Sequence, residues 1–263
     1  MSYALITGAA SGIGRAIAEE LAMRGYDLML LDINGDGLKK TADKLVETYS
    51  RSIHILEIDL SAERIGEKIR QWSQPYHDKL SVVINNAGYG LNGPFDEMGI
   101  DEQLNMIDTN IKAQLQIAYA FIPLLKKKDK SYLLNVGSTT CYQPVPFLAV
   151  YAASKACVLS FTRSLRQELR HSTISVSCLS PGSTDTNFVH RARMGGHVRK
   201  LAKKYNMTPA SVAKIAINGL LKGKAEIIPG FLNKLNAWLP KFFPKSMVER
   251  IGMNIYKPRI EKE

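Results

Sequence analysis

Tyr151 and Lys155 are the residues whose types and spacing point most directly to chemistry. Four positions apart, they share one face of a helix, one turn from each other. An ammonium beside a phenol favours the phenolate, so the spacing predicts a Tyr151 pKa drawn down from about 10 toward the working range. Such a phenol is a general acid/base for an alcohol or a ketone. Upstream, Ser138 follows the apolar run 132–136, which reads as a buried strand, and its hydroxyl could hydrogen-bond the same substrate oxygen. A Tyr and a Lys four apart are more often a plain surface pair. The chemistry therefore depends on what the rest of the chain brings to them.

The chain has 263 residues and no low-complexity tract, repeat or linker-like stretch, so a single α/β domain is the simplest organisation. A strand at 3–7 begins almost at once, leaving no room for a signal peptide. No run approaches the ~18 apolar residues of a spanning helix. Cys141, Cys157 and Cys178 are odd in number and lack metal-site spacing, so no metal is expected and the thiols read as reduced, in a cytoplasmic protein. Residues 1–185 carry 19 Lys and Arg against 20 Asp and Glu, while 186–263 carry 16 against 4, so the whole excess of +11 lies in the last third. No base-reading motif or aromatic stacking array accompanies that excess, which argues against nucleic acid. An anionic substrate, an anionic membrane surface or simply a solvated basic face accounts for it.

The positioning elements alternate strand and helix. The first strand runs into Gly8, Ser11, Gly12, Ile13 and Gly14, followed by a helical pattern at 15–24. Glycines there let backbone approach a pyrophosphate, and the helix N-terminus offers it unpaired N–H groups. A second strand, 27–31, ends at Asp32, about 20 residues past Gly12, where a carboxylate takes the adenosine ribose hydroxyls. Its charge would repel a 2′-phosphate and Ile33 follows it, so NAD(H) is preferred over NADP(H), with Arg15 as the one opposing base. A helix is expected at 36–50, a strand at 52–57 followed by Asp59 and Leu60, a helix at about 61–73, and a strand at 80–84. Asp59 suits the adenine edge or, equally, a helix cap before Ser61. Asn85, Asn86, Ala87 and Gly88 fall where that last strand meets the crevice. A long helix at about 101–127 contains Asn110, whose amide reads as a kink or water site feeding protons toward Lys155, or as an exposed polar residue. The catalytic helix is expected at about 150–170. A strand at 175–179 then leads to Pro181, Gly182, Thr184 and Thr186, a turn able to pass under a nicotinamide and hold its carboxamide or a phosphate.

Taken together, the Thr7-Gly8-x-x-x-Gly12-x-Gly14 loop, Asn85-Asn86-Ala87-Gly88, Asn110, Ser138, Tyr151-x-x-x-Lys155 and Pro181-Gly182 closely resemble the short-chain dehydrogenase/reductase family, in order and spacing, over roughly residues 1–230. The resemblance implies a Rossmann-type, doubly wound α/β three-layer sandwich with a mostly parallel seven-stranded sheet. It implies one domain binding NAD(H) or NADP(H), a small-molecule alcohol or ketone substrate, and a homodimer or homotetramer. By the same resemblance Tyr151 is the acid/base and Ser138 positions the substrate oxygen. Lys155 holds the nicotinamide ribose and lowers the tyrosine pKa, and Asn110 anchors a proton-relay water. The alternative is a catalytically silent dinucleotide-binding sensor or membrane-associated scaffold of the same fold.

In this family the segment after the Pro-Gly turn forms a substrate lid, here about 186–207. Its charges, among them Arg191 and Arg193, would meet an anionic substrate or form a solvated amphipathic helix. The basic, aromatic extension 231–263 suits a subunit interface or a substrate-pocket wall, and less favourably a peripheral membrane contact.

Overall fold

The computed structural model describes residues 2–186, 188–198 and 206–257. Seven strands form one sheet in the order β3-β2-β1-β4-β5-β6-β7. They are β1 (Tyr3–Thr7), β2 (Asp27–Asp32), β3 (Ile53–Glu57), β4 (Leu80–Asn85), β5 (Ser131–Val136), β6 (Ile174–Leu179) and β7 (Glu226–Ile227). Every pairing is parallel. Parallel neighbours need crossovers, and these are α1 (Gly12–Met23), α2 (Gly35–Tyr49), α3 (Ile65–Trp72), α4 (Ile100–Ile107), α5 (Ala113–Leu125) and α6 (Ala149–Glu168). After β6 come α7 (Phe188–Arg191), α8 (Pro209–Leu221), α9 (Phe231–Trp238) and α10 (Lys245–Tyr256).

The period-2 alternation of β1 shows how the three layers arise. Ala4 and Ile6 point to one face, where they pack with Ile17 and Leu21 of α1 and Val212 and Ile217 of α8. Tyr3 and Leu5 point to the other, among Ile69 of α3, Ile117 and Phe121 of α5 and Leu165 of α6. Because both faces are covered, β2 reads as a continuous apolar run rather than an alternation. Strand order reverses between β1 and β4, and such a switch point opens a crevice at the strands' carboxyl ends.

Two elements differ from their expected extent. The helix expected from 61 begins only at Ile65, because Asp59 Oδ1 accepts from both the Ser61 N–H, at 2.9 Å, and its hydroxyl, and Arg64 sits at φ 54°. A turn therefore replaces the first helical turn. The long helix at 101–127 is interrupted at Asp108–Lys112 by a π turn containing Asn110.

Candidate active site

Ser138 stands beyond a strand's carboxyl end, and Tyr151 and Lys155 on the inner face of α6. Extended backbone at Ser138, just beyond β5, turns its hydroxyl into the cleft, where the Oγ also accepts from Thr140 N–H at 3.2 Å. On α6 the i, i+4 pair Tyr151 and Lys155 faces inward with Ala152, Ser154 and Val158, and both are buried. The surface-pair reading is thereby excluded. Lys155 Nζ donates to Val136 O at 2.9 Å and stands 5.9 Å from the centre of the Tyr151 ring. The ring of Phe188 of α7 packs against that of Tyr151 at a tilt, 5.4 Å between ring centres.

The expected fall in the Tyr151 pKa is overturned. Burial pushes the phenol above its ordinary range of about 10, and the hydrogen-bonding Ser138 hydroxyl draws it only partly back. Burial acts on Lys155 too, lowering its ammonium to about 8. Desolvation is the largest influence on both groups, and a burial effect of this kind is invisible in the spacing of two residues.

Asn110 does not reach the cleft wall. It is fully buried, and its amide grips one stretch of backbone: Oδ1 accepts from Tyr89 N–H at 3.0 Å, and Nδ2 donates to Tyr89 O at 2.9 Å and to Ser154 Oγ at 3.1 Å. Gly88 sits against it, since a Cβ there would lie 2.7 Å from Asn110 Oδ1 and 3.2 Å from Lys155 Nζ. The amide is thus a clamp on the strand-end loop that runs past Lys155.

The remaining predicted residues converge on a cleft of about 1020 Å³ crossing the switch point. Gly8, Ser11, Gly12, Ile13, Asp32, Asp59, Leu60, Asn86, Ala87, Gly88, Pro181, Gly182, Thr184 and Thr186 line it together with Ser138, Tyr151 and Lys155. Gly14 does not. A Cβ on it would meet Gly8 O at 2.0 Å, so its role is to seat α1 against the loop. At Gly8 a Cβ would stand 2.7 Å from Asn86 Nδ2, which donates to Thr7 O and Gly8 O. Thr7 Oγ1 accepts from both Asn86 N–H and Ala87 N–H at 3.0 Å, joining the two sides of the switch point.

These groups fit a dinucleotide. Helix α1 starts without a side-chain cap, so the N–H groups of its first turn remain for an anion beside backbone that glycine keeps bare. Asp32 Oδ2 accepts from Ala10 N–H at 2.9 Å and Oδ1 from Asn34 N–H at 3.0 Å, which fixes the carboxylate at the cleft edge. Thr140 lines the cleft, and its buried hydroxyl has no hydrogen-bond partner among the described residues. Asp59 is not a helix cap, since α3 begins only after Arg64; it forms the turn at Ser61 and lines the cleft.

Beyond Tyr151 the cleft is walled by Leu148, Phe188, Val189, Met194, Ile255 and Tyr256. Phe231 and Leu232 of α9 line the cleft as well, so the tail contributes to its lining. Arg191 brings a cation into this apolar space, 4.6 Å from the centre of the Tyr89 ring. Its neighbour Arg193 is paired with both Glu102 oxygens, at 2.7 and 2.9 Å. Arg199, Lys200, Lys203 and Lys204 of the expected lid lie outside the described residues, as do 258–263. Sequence reasoning did not single out Tyr89, Asn105, Thr109 or Tyr256 as site residues, because only tertiary packing brings them here.

Comparison with known proteins agrees with this architecture. The family profile described as short chain dehydrogenase matches residues 2–195. An uncharacterized oxidoreductase of Staphylococcus aureus is 32% identical over 183 residues, covering 70% of this chain and 78% of its own. A short-chain dehydrogenase from Sphingobium yanoikuyae, solved with NADPH, superposes with a TM-score of 0.81 at 25% identity, covering 94% of this chain and 98% of that one. A short chain dehydrogenase/reductase from Burkholderia phymatum, solved with NAD, shares the fold with a TM-score of 0.80 at 21% identity, covering 91% and 92%.

Proposed function

The chain belongs to the short-chain dehydrogenase family, and we propose that it is an oxidoreductase that interconverts a secondary alcohol and a ketone with a nicotinamide dinucleotide. One observation carries the reading: Ser138, Tyr151 and Lys155 come together, buried, on one stretch of a cleft that also holds a glycine-lined cradle. A silent sensor has no need of a buried phenol and ammonium, each costly to desolvate.

The residues that would hold the cofactor are the cradle Gly8 to Gly12, Asp32 at the ribose, Asn86 to Gly88, Lys155 and the turn from Pro181 to Thr186. When bound, a nicotinamide dinucleotide supplies the hydride donor or acceptor. Ser138 hydrogen-bonds the substrate oxygen and holds it at the phenol. In reduction Tyr151 gives its proton to that oxygen, and in oxidation the phenolate takes the hydroxyl proton away. Lys155 provides positive charge behind the ring, while the Asn110 clamp holds the loop that runs past it. A relay water near Asn110 remains part of this proposal. The apolar wall supports an apolar or acyl-like substrate, and Asp32 supports NAD(H) as the preferred cofactor, with NADP(H) possible. The expected homodimer or homotetramer would use the apolar face of α4 and α5, where Leu104 and Tyr119 are exposed.

Tyr151→Phe tests the assignment. It removes one hydroxyl and keeps the ring against Phe188, so dinucleotide binding should persist while turnover of secondary alcohols and ketones disappears. Substantial turnover in that variant would remove Tyr151 from the mechanism.

A further inference from the structure

Helix α9 is amphipathic in the reverse sense for a helix packed on a fold. Ala237 is buried, and Asn233 and Asn236 line the cleft. Its large apolar side chains, Phe231, Leu232, Leu235 and Trp238, at i, i+1, i+4 and i+7, all reach solvent, Phe231 79% and Trp238 55% exposed, and the first two also line the cleft. The apolar surface continues past the helix. Trp238 packs on Phe242 at 4.3 Å between ring centres, and Phe242, Phe243, Met247 and Ile251 are all exposed. Exposed large apolar side chains gathered in one segment in this way mark an interaction site.

Charge identifies the partner. Residues 231–257 hold Lys234, Lys241, Lys245, Arg250 and Lys257 against one acid, Glu249. In a two-fold contact between copies the same patch meets itself, so these cations would oppose one another. A bilayer bearing anionic headgroups matches both properties, taking the apolar side chains into the interface and the lysines at the phosphate level. Trp, Phe and Leu set beside Lys is the composition of a surface-lying segment, and no described helix is long and apolar enough to cross a membrane.

We propose that the segment 231–256 docks this protein on an anionic membrane surface through the outward face of α9 and the aromatic turn that follows it. Phe231 and Leu232 belong to both that face and the cleft wall, so one side of the cleft mouth opens at the bilayer. A substrate dissolved in the lipid then reaches the apolar wall without crossing water. The docking itself does not depend on the proton chemistry of Tyr151.

Flotation of the full chain with vesicles of phosphatidylcholine, alone or mixed with phosphatidylglycerol, tests the docking. Partition should be at least roughly tenfold greater on the anionic vesicles and should weaken in high salt. The chain has two tryptophans, and Trp72 packs beneath the sheet, so a blue-shifted emission on binding reports Trp238. The triple variant Leu235→Ser, Phe242→Ser, Met247→Ser lies outside the cleft wall. It should lose roughly tenfold or more in partition and keep the wild-type turnover of a water-soluble ketone. Equal flotation with neutral and anionic vesicles, or none with either, overturns the proposal with the wild-type chain alone. So does a concentration-dependent dimer that the same three substitutions dissociate.

Discussion

Replacing Asn110 by alanine should damage the fold and the chemistry together, and the structure sets the size of the effect. The substitution leaves the Tyr89 N–H and C=O without partners in a buried place. Each orphaned group costs about 1–3 kcal/mol, so the pair costs roughly 4 kcal/mol. Ser154 adds little, because its hydroxyl still donates to Tyr151 O at 2.7 Å. A typical domain is stable by about 5–15 kcal/mol, so this is a large share. At about 2–4 °C per kcal/mol for a chain of this size, the melting temperature should fall by roughly 8–16 °C. Thermal unfolding followed by far-ultraviolet circular dichroism measures the fall, and Ser154→Ala provides the control, with an expected loss below about 1.5 kcal/mol. Below the new melting point kcat should drop as well, since the loosened loop borders Gly88 and Lys155. A variant that melts within about 2 °C of the wild type and turns over normally would refute the clamp.

Three further outcomes follow. Burial holds Tyr151 above its usual range, so the phenol keeps its proton at neutral pH; ketone reduction should be flat through about pH 6–8, whereas alcohol oxidation, which needs the phenolate, should climb by up to about tenfold per pH unit. Initial rates in both directions check this, and an oxidation rate that falls with rising pH contradicts it. Arg191→Ala should lower kcat/KM for a ketone bearing a distal carboxylate by roughly tenfold, about 1.4 kcal/mol, and leave a neutral ketone of equal size unchanged; equal losses on both would make Arg191 a packing residue only. Calorimetric titration should give tighter NADH than NADPH, with Asp32→Ala narrowing the gap; tighter NADPH in the wild type would hand cofactor choice to Arg15 or another base.

The legible parts of this molecule were those coded locally. Alternating strands and helices, the glycine loop, Asp32 at the end of β2 and the shared face of Tyr151 and Lys155 each depend on residues a few positions apart. Burial is different. The direction of the Tyr151 shift depends on Phe188 and on the packed environment around the ring, which no short window contains. The start of α3 was misplaced because the Asp59 side chain competes with helical hydrogen bonding, a contest decided by rotamer and turn. Arg191 was legible only as one cation among several. Its distinction from Arg193 rests on Glu102, 91 positions away, taking one and leaving the other at Tyr89.

The way the cleft is divided along the chain has an evolutionary consequence. Ser138, Tyr151, Lys155 and the glycine cradle all precede Pro181, whereas Phe188, Met194, Phe231, Leu232, Ile255 and Tyr256 follow it. A crossover between related genes at the Pro181–Gly182 turn would exchange much of the apolar wall, Phe188 beside Tyr151 included, and keep Ser138, Tyr151 and Lys155 themselves. One constraint governs which exchanges survive: Val212, Ala213 and Ile217 of α8 share a core with Ala16 and Ile17 of α1, so the incoming half must bring side chains that fit that seam. Recombinants that satisfy it should inherit a new substrate range in a single step.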